Sequence, residues 1–265
     1  GNKRDNNEDA YLSSGNIGLW AIADGMGGHE AGEVASAVTL KTFQSQVEAG
    51  QSLESATQAA HQAVLDAVDD SVGAEGMGST LVGLSSDDTT WKIVWVGDSR
   101  AYLWTRDAEG GQLRQVSKDH SYVEMLYQSG AIAAEDMQDH PSRHVITQCL
   151  GSAQLKQVQA DTISQAWMAN QVLLLCSDGL SDELDDNAIA NILCLHEDIE
   201  SAGDALLEAA LNAGGSDNVT LQLIASPVGA NTVSSAKSPK DNKRLLTIGF
   251  SLIALVVLVS ILASL

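Results

Sequence analysis

Apolar runs of strand length recur along the chain, and short polar segments separate several of them. Runs of about four to eight residues bounded by turn residues are typical of buried strands. The polar segments SSDDTT (85–90) and RDAEGG (106–111) have the length of hairpin loops, so we expect largely antiparallel sheets. The predicted strands are Leu19 to Ala23, Leu81 to Leu84, Trp91 to Val96, Ala101 to Trp104, Val172 to Cys176 and Val219 to Ala225.

Between these runs, four segments show helical spacing of their apolar residues. Residues 52–70 are the clearest, because Ser52 is a preferred N-cap residue and the apolar positions that follow recur every three or four residues. The other predicted helices are residues 29–48, 186–195 and 201–213. Strand groups that alternate with helix pairs indicate an α+β fold, with helices packed outside antiparallel sheets.

Composition narrows the class of protein. The 265 residues are 44% apolar, enough for the core of one domain. The chain carries 14 basic and 35 acidic residues, a net charge of −21, which argues against nucleic-acid binding. Its 3 cysteines have no CxxC spacing, so we expect a reducing compartment and buried thiols.

The C-terminal part differs in composition from the rest. We expect residues 1–225 to form the globular domain and residues 226–244, rich in small polar residues, to form a flexible linker. Residues 245–265 carry no charge, and as a helix they would reach ~30 Å, the thickness of a bilayer core. They therefore predict a transmembrane helix.

The charges that flank this apolar segment indicate its orientation. Four basic residues precede it, and only Asp241 opposes them. By the positive-inside rule this flank is cytoplasmic. No signal sequence is apparent at the N-terminus. We therefore expect a single-pass protein of the inner membrane whose acidic domain lies in the cytoplasm. The basic residues are Lys237, Lys240, Lys243 and Arg244.

Four acids lie at the ends of predicted strands. They are Asp24, Asp98, Asp178 and Asp217. For each one alone, a turn in which the side chain bonds nearby backbone amides is an adequate explanation. If the strand ends meet, however, several carboxylates converge without a lysine, and a metal ion would make that arrangement tolerable. Oxygen donors without a zinc-type His or Cys cluster favour Mg²⁺ or Mn²⁺ and leave Ca²⁺ open.

Two further segments offer binding groups. After Asp24, a glycine at position 25 lets a backbone carbonyl approach an ion, and Gly27 and Gly28 would leave room for a substrate. Near the N-terminus, Arg4 could hold a phosphate through parallel N–H bonds, beside the acids of NNEDA. Taken alone, that segment is better explained as a surface loop of mixed charge.

Together these motifs resemble the metal-dependent protein phosphatases of the type 2C (PPM) family, in its bacterial form. The resemblance covers nearly all of residues 2–225. The motifs, in chain order, are RDNNEDA, ADGMGGHEAGEVAS, GMGSTL, VGDSRAYLW, KDHS, HPSRHVITQCLG, LLCSDGLSDEL and GGSDNVT. The resemblance implies an α-β-β-α sandwich, in which two central antiparallel sheets are flanked by helices and a metal site lies at one end. Only three residues precede Arg4, where the family usually has a strand, so we expect one sheet edge to be missing or truncated.

The resemblance also implies a role for each site residue. Two Mn²⁺ or Mg²⁺ ions would share Asp24, with the Gly25 carbonyl on the first ion and Asp178 and Asp217 on the second. A third ion, held by Asp98 with Asp178, occurs in bacterial members. Three residues of the N-terminal motif complete the set, with Arg4 gripping the phosphate and Glu8 and Asp9 acting through bound water.

The function implied is hydrolysis of phosphoserine and phosphothreonine in proteins by a metal-activated water, opposing a Ser/Thr kinase at the membrane. The leaving-group acid is open, because Met26 stands where many eukaryotic members have a histidine. Two alternatives are a pseudophosphatase that binds a partner without hydrolysis and a structural metal-binding domain. Measurement of metal binding together with turnover separates the three.

Several polar residues near these motifs are expected to lie outside the site. The acids that follow Asp178 should open a helical segment and suit its N-terminal dipole, and the histidines should be structural or solvated. Residues 119–151 correspond to the mobile flap of the family and are called the flap segment below. These acids and histidines are Asp182, Glu183, Asp185, Asp186, His29, His120, His140 and His144.

Overall fold

A computed structural model of the chain describes residues 1–4, 6–27 and 31–229 and the backbone of residues 256–259. The helices are α1 (Ala31–Glu48), α2 (Leu53–Asp69), α3 (Tyr122–Gln128), α4 (Asp178–Ser181), α5 (Asp186–Leu195) and α6 (Ile199–Ala213). The strands are β1 (Asp9–Ser14), β2 (Leu19–Met26), β3 (Gly78–Ser79), β4 (Leu81–Ser86), β5 (Thr90–Val96), β6 (Arg100–Thr105), β7 (Gln112–Gln115), β8 (Asp161–Ala166), β9 (Gln171–Cys176), β10 (Leu221–Ala225) and β11 (Val256–Val259).

The strands form two sheets. The first has the order β1-β2-β4-β5-β8, with β3 paired to the end of β2. The second has the order β11-β10-β9-β6-β7. All of these pairs are antiparallel, as the hairpin spacing predicted.

Each central strand is buried on both of its faces. In β2, Trp20 and Ile22 pack with Leu173 and Leu175 of β9, which places them between the two sheets. The alternate residues of β2 pack instead with α1 and α2. Burial on both faces explains why the central strands read as continuous apolar runs rather than as alternating patterns.

The outer face of the second sheet is covered by α5 and α6. Leu174 and Cys176 of β9 pack with Ile189 of α5 and Leu206 of α6. The layers are therefore helix, sheet, sheet and helix, which confirms the expected α-β-β-α sandwich.

The predicted central elements are present with small changes at their ends. Ser52 caps α2 and accepts a hydrogen bond from the backbone N–H of Ser55, as expected. Five strands were not predicted: β3 has only two residues, and β11 lies where a helix was expected. The other three, β1, β7 and β8, lie at sheet edges. Their outer faces carry exposed residues, so they lack the continuous apolar run of a central strand.

The thiols differ in exposure. Cys176 is buried, Cys149 is half-buried and Cys194 is exposed. All three are free, so the expectation of buried thiols is confirmed for Cys176 and wrong for Cys194.

The C-terminal helix prediction is not supported where it can be compared with the structure. Val256–Val259 form β11 and pair with β10, so a helix is wrong for these four residues. Valine is β-branched and favours strands, and the edge of β10 offers unpaired backbone groups. The rest of 245–265 and most of the linker lie outside the described residues. Within the described part of the chain, no helix is both long enough and apolar enough to span a bilayer.

Helix α1 lies very close to the first sheet at Gly83 of β4. A Cβ atom added to Gly83 would lie 2.8 Å from Cζ of Phe43, which is fully buried. This distance is shorter than an ordinary van der Waals contact. The glycine therefore lets the phenylalanine ring rest directly on the sheet.

We predict that Gly83→Ala lowers the free energy of unfolding by about 1–3 kcal/mol, because the added methyl group overpacks this contact. The same substitution in a Phe43→Leu background should cost less. Gly15→Ala is the control, since its Cβ would lie 3.7 Å from the Trp20 ring, an ordinary contact. Urea unfolding of the four variants and the wild type measures these energies. Equal costs of Gly83→Ala in both backgrounds would contradict the packing argument.

Candidate active site

A cleft of about 490 Å³ lies where the strand ends of the two sheets meet. It contains seven of the eight residues that the sequence singled out. The predicted residues that line it are Arg4, Glu8, Asp24, Gly25, Asp98, Asp178 and Asp217. The predicted convergence of the strand-end acids is therefore observed.

The acids reach the cleft from four separate elements. Asp24 lies near the end of β2, where its backbone N–H donates to Thr80 Oγ1 at 3.0 Å and its carbonyl accepts from Thr80 N–H at 2.8 Å. Asp98 occupies the turn between β5 and β6, Asp178 begins α4 directly after β9, and Asp217 precedes β10.

The pKa values of the carboxyl groups of Asp24 and Asp178 are strongly raised. Burial raises the pKa of Asp24 well above its ordinary value, and Asp9, Asp178 and Asp98 raise it further. Burial also raises the pKa of Asp178 well above its ordinary value, with Asp98 the next contribution. The Oδ1 atom of Asp178 is buried without a hydrogen-bond partner. An unpartnered buried carboxylate oxygen is unfavourable unless a cation contacts it.

The pKa values of two neighbouring acids, Asp98 and Glu8, are also raised. Burial, followed by the charge of Asp119, raises the pKa of Asp98 to about 6. Burial is also the main cause of the raised pKa of Glu8. These directions follow from placing several like charges in one partly dehydrated cleft.

Arg4 is the only arginine or lysine among the described residues that line the cleft. Its Nη2 donates to Asp217 Oδ2 at 2.6 Å, and its side chain is half exposed. This hydrogen bond is the main cause of its raised pKa. A guanidinium has five N–H donors, so the bond to Asp217 leaves donors for an anion in the cleft.

The cleft fits a divalent metal ion. The atoms that could bind an ion are carboxylate and carbonyl oxygens, and the single arginine cannot neutralise the charge of all the acids around it. Oxygen donors of this kind are typical of Mg²⁺ and Mn²⁺ sites. A cation would supply the contact that the buried Oδ1 of Asp178 lacks.

Asp9 does not line the cleft but lies beneath it. Its Oδ2 accepts hydrogen bonds from Ser177 Oγ at 2.8 Å and from Thr220 Oγ1 at 2.7 Å. Burial raises its pKa to about 6, while these two hydroxyl groups lower it. Asp9 therefore joins β1 of the first sheet to the ends of β9 and β10 in the second.

Gly25 is required for a reason the sequence did not show. A Cβ atom at this position would overlap the carbonyl oxygen of Gly32 in α1 and would crowd that of Glu8. The glycine thus lets β2, α1 and the N-terminal segment meet beside the cleft. Gly27 also lines the cleft, whereas Gly28 and His29 lie outside the described residues.

Two residues that sequence reasoning excluded also line the cleft. These are Asp182 and His144, and His144 Nδ1 lies 3.1 Å from Asp182 Oδ2. The expected position at a helix N-terminus is confirmed for Asp185, the N-cap of α5, whose side chain accepts from Ala188 N–H. It is wrong for Asp182, which directly follows the C-terminal end of α4. A four-residue spacing from Asp178 places Asp182 on the same helix face, and this was the available signal. No sequence signal indicated His144.

A sequence model of the family described as protein phosphatase 2C matches residues 2–217. The chain belongs to the protein phosphatase 2C family. The match includes each residue of the cleft up to Asp217, so the resemblance noted from the motifs is confirmed.

Curated relatives in the family carry related names. The serine/threonine protein phosphatase PstP of Mycobacterium tuberculosis is 38% identical over 224 residues, which are 82% of this chain and 42% of PstP. The serine/threonine phosphatase stp of Listeria welshimeri is 30% identical over 237 residues, 84% of this chain and 92% of that protein. The chain thus spans less than half the length of PstP and nearly all of stp.

A solved structure of the family shows ions. The catalytic domain of PstP in complex with 2 manganese ions superposes with a TM-score of 0.70 at 33% identity, covering 82% of this chain and 90% of that one. This protein phosphatase 2C domain therefore shares its fold with a domain that binds manganese.

We predict that the metal-free protein loses stability as the pH rises. Asp98 in the folded protein has a pKa of about 6, above the ordinary value of 3.8. The neutral acid is favoured by folding, so this stabilisation is complete below about pH 4 and is lost as the pH rises through about 6. A rise of this size corresponds to about 3 kcal/mol for one buried carboxyl group.

Thermal unfolding in EDTA at about pH 5 and about pH 8 checks this expectation. Asp98→Asn should show a weaker pH dependence than the wild type. Added Mn²⁺ should raise the Tm more at the higher pH, since it binds the ionised carboxylates. A wild-type Tm in EDTA that changes no more with pH than that of Asp98→Asn would contradict the assignment.

Proposed function

We propose that this chain is a protein phosphatase that hydrolyses phosphoserine and phosphothreonine with Mn²⁺ or Mg²⁺. The observation that carries the proposal is the buried, unpartnered Oδ1 of Asp178 in a cluster of acids beside Arg4. Such a cleft offers carboxylates that can bind cations and a guanidinium that can bind an anion. The names of PstP and stp and the manganese ions of the PstP domain support the proposal.

The role proposed for each acid is the one that the family resemblance implies. Asp24 would bind both ions, with the Gly25 carbonyl on the first and Asp178 and Asp217 on the second. Asp98 with Asp178 would hold a third ion. When bound, divalent ions lower the pKa of water and offset the charge of phosphoryl oxygens.

The N-terminal segment supplies the remaining groups. Arg4 would orient the phosphoryl group, because its half-exposed guanidinium is held in place by Asp217 and has donors to spare. Glu8 lines the cleft and would act through bound water. Asp9 would also act through bound water from its position beneath the cleft, where its hydrogen bonds connect the two sheets. The residues that we place at the reacting phosphate are thus Arg4, Asp24 and Asp178.

We also propose that the phosphatase acts at the inner face of a membrane, where it opposes a Ser/Thr kinase. The support is the charge-free segment 245–265 and the basic residues before it. A bilayer-spanning helix and the pairing of Val256–Val259 with β10 exclude each other. The proposal therefore requires these four residues to leave the sheet when a membrane is present.

The full chain in mild detergent should release phosphate from a phosphothreonine peptide when Mn²⁺ is present and not in EDTA. Asp178→Asn should lower the turnover by at least about 100-fold, since it removes a ligand charge at the centre of the cleft. Asp204→Asn changes an exposed acid of α6 and should have no effect. Colorimetric phosphate release measures all three proteins.

The outcome separates this proposal from its alternative. A folded chain that binds Mn²⁺ but hydrolyses no phosphopeptide would be a partner-binding module rather than an enzyme. Turnover that persists in Asp178→Asn would place the metal centre elsewhere.

For the membrane proposal, we expect the full chain to remain with inner-membrane vesicles after a carbonate wash. A variant that ends at Gly229 should be released, because it lacks the apolar segment. In right-side-out vesicles the domain should be protected from added protease, and in inside-out vesicles it should be digested. Release of the full chain by the wash, or digestion in right-side-out vesicles, would contradict the proposal.

A further inference from the structure

Both backbone hydrogen-bonding groups of Asp24 are held by one residue, Thr80, which lies between β3 and β4. The Asp24 N–H donates to Thr80 Oγ1 at 3.0 Å, and the Thr80 N–H donates to the Asp24 carbonyl at 2.8 Å. Thr80 belongs to the wall of the cleft, yet it is only 1% exposed. The two bonds fix the peptide groups on either side of the Asp24 Cα atom and so restrict the direction of its side chain.

The hydroxyl group of Thr80 is itself held by Ser99. Thr80 Oγ1 and Ser99 Oγ lie 2.7 Å apart, and Ser99 is also only 1% exposed. Ser99 directly follows Asp98, in the turn between β5 and β6. A continuous path of hydrogen bonds therefore leads from the backbone of Asp24, through two buried hydroxyl groups, to the residue beside Asp98.

The methyl group of Thr80 is confined as well. Gly97 has a φ of +102°, and a Cβ atom added to it would lie 2.7 Å from Thr80 Cγ2. Glycine accepts this backbone conformation at no steric cost and leaves space for the methyl group. The threonine side chain is thus held by packing against Gly97 and by the bond to Ser99, and rotation about its χ1 angle would lose the hydrogen bonds of Oγ1.

We propose that Thr80 and Ser99 are positioning residues for the carboxylate of Asp24. They act through Asp24 and are not themselves assigned to an ion or to the phosphate. The inference rests on the proposed function, because it takes Asp24 as the ligand that both ions share. Groups that orient a metal ligand change metal affinity or activity by about 10–100-fold when they are removed. Here the effect follows because loss of one buried hydroxyl leaves its partner without a hydrogen bond.

Substitutions at Thr80 separate the role of its hydroxyl group from that of its methyl group. Thr80→Val keeps the shape of the side chain and removes the acceptor of the Asp24 N–H, whereas Thr80→Ser keeps the acceptor. In the full chain, Thr80→Val should weaken Mn²⁺ binding in calorimetry by about 10–100-fold and lower kcat for the phosphothreonine peptide by a similar factor. The KM for the peptide should change little, and Thr80→Ser should restore both quantities.

Thr57→Val is the matched control. Thr57 is fully buried in α2, where its Oγ1 donates to the Leu53 carbonyl at 2.8 Å, and it is not among the described residues that line the cleft. This substitution also removes a buried hydroxyl hydrogen bond. It should therefore lower the Tm as Thr80→Val does, while Mn²⁺ affinity and kcat stay unchanged.

The contribution of Ser99 is measured in a double-mutant cycle. Ser99→Ala should weaken Mn²⁺ binding less than Thr80→Val does. The double variant should bind Mn²⁺ no more weakly than Thr80→Val, since both substitutions break the same path.

The backbone amide of Asp24 gives a readout that needs no metal. In ¹H–¹⁵N NMR spectra of the full chain in mild detergent with EDTA, its proton signal should move upfield in Thr80→Val, because the amide loses its acceptor. The signal should stay near its wild-type position in Thr80→Ser and in Thr57→Val.

The outcomes distinguish this inference from the proposed function. Weaker Mn²⁺ binding and an upfield Asp24 amide in Thr80→Val, both restored in Thr80→Ser, support the inference. Equal effects of Thr80→Val and Thr57→Val on Mn²⁺ affinity, or additive effects of Thr80→Val and Ser99→Ala, overturn it and leave the proposed function intact. A folded wild-type chain that neither binds Mn²⁺ nor hydrolyses the peptide overturns both.

Discussion

The carboxylate of Asp9 connects the two sheets directly beneath the cleft, and the geometry of the site depends on this connection. Asp9 is paired with Asp24 in the register of β1 and β2. Its Oδ2 accepts hydrogen bonds from Ser177, the residue before Asp178, and from Thr220, three residues after Asp217. One buried group therefore sets the spacing between acids that belong to different sheets. Because it accepts two hydroxyl hydrogen bonds, a carboxylate can perform this task where an apolar side chain could not.

The same connection concentrates negative charge. Burial in the cleft raises the pKa of both Asp24 and Asp178, and the charges of neighbouring carboxylates raise both values further. In the absence of a cation the fold favours neutral acids, whereas a bound divalent ion favours carboxylates. Metal binding and the stability of this end of the sandwich are therefore linked. The packing of the helix layer on the first sheet, seen where Phe43 rests on Gly83, involves residues that do not line the cleft.

The N-terminal segment and the flap segment form the two sides of the cleft that do not belong to the sheets. Glu8 N–H donates to Asn218 Oδ1 at 2.9 Å, and Asn218 Nδ2 donates to the Asn6 carbonyl at 3.1 Å, so the segment that carries Arg4 is held by the loop before β10. The flap segment contributes the contact of His144 with Asp182. The N-terminal segment is thus held by amide hydrogen bonds, whereas the flap segment contacts α4 through ionisable groups.

The local sequence pattern was sufficient to predict the central strands, the long helices and the positions of the acids. A strand buried on both faces gives a continuous apolar run, and a helix with one buried face gives apolar residues every three or four positions. The pattern failed for the edge strands β1, β7 and β8, whose outer faces are exposed and whose pairing depends on distant partners. It also failed for Val256–Val259, where β-branched residues meet an open strand edge. In the site, the acids were recognisable from strand ends, but the position of Asp9 beneath the cleft and the meeting of His144 with Asp182 were not. These contacts join residues far apart in the chain, and only packing of the two sheets and the flap segment brings them together.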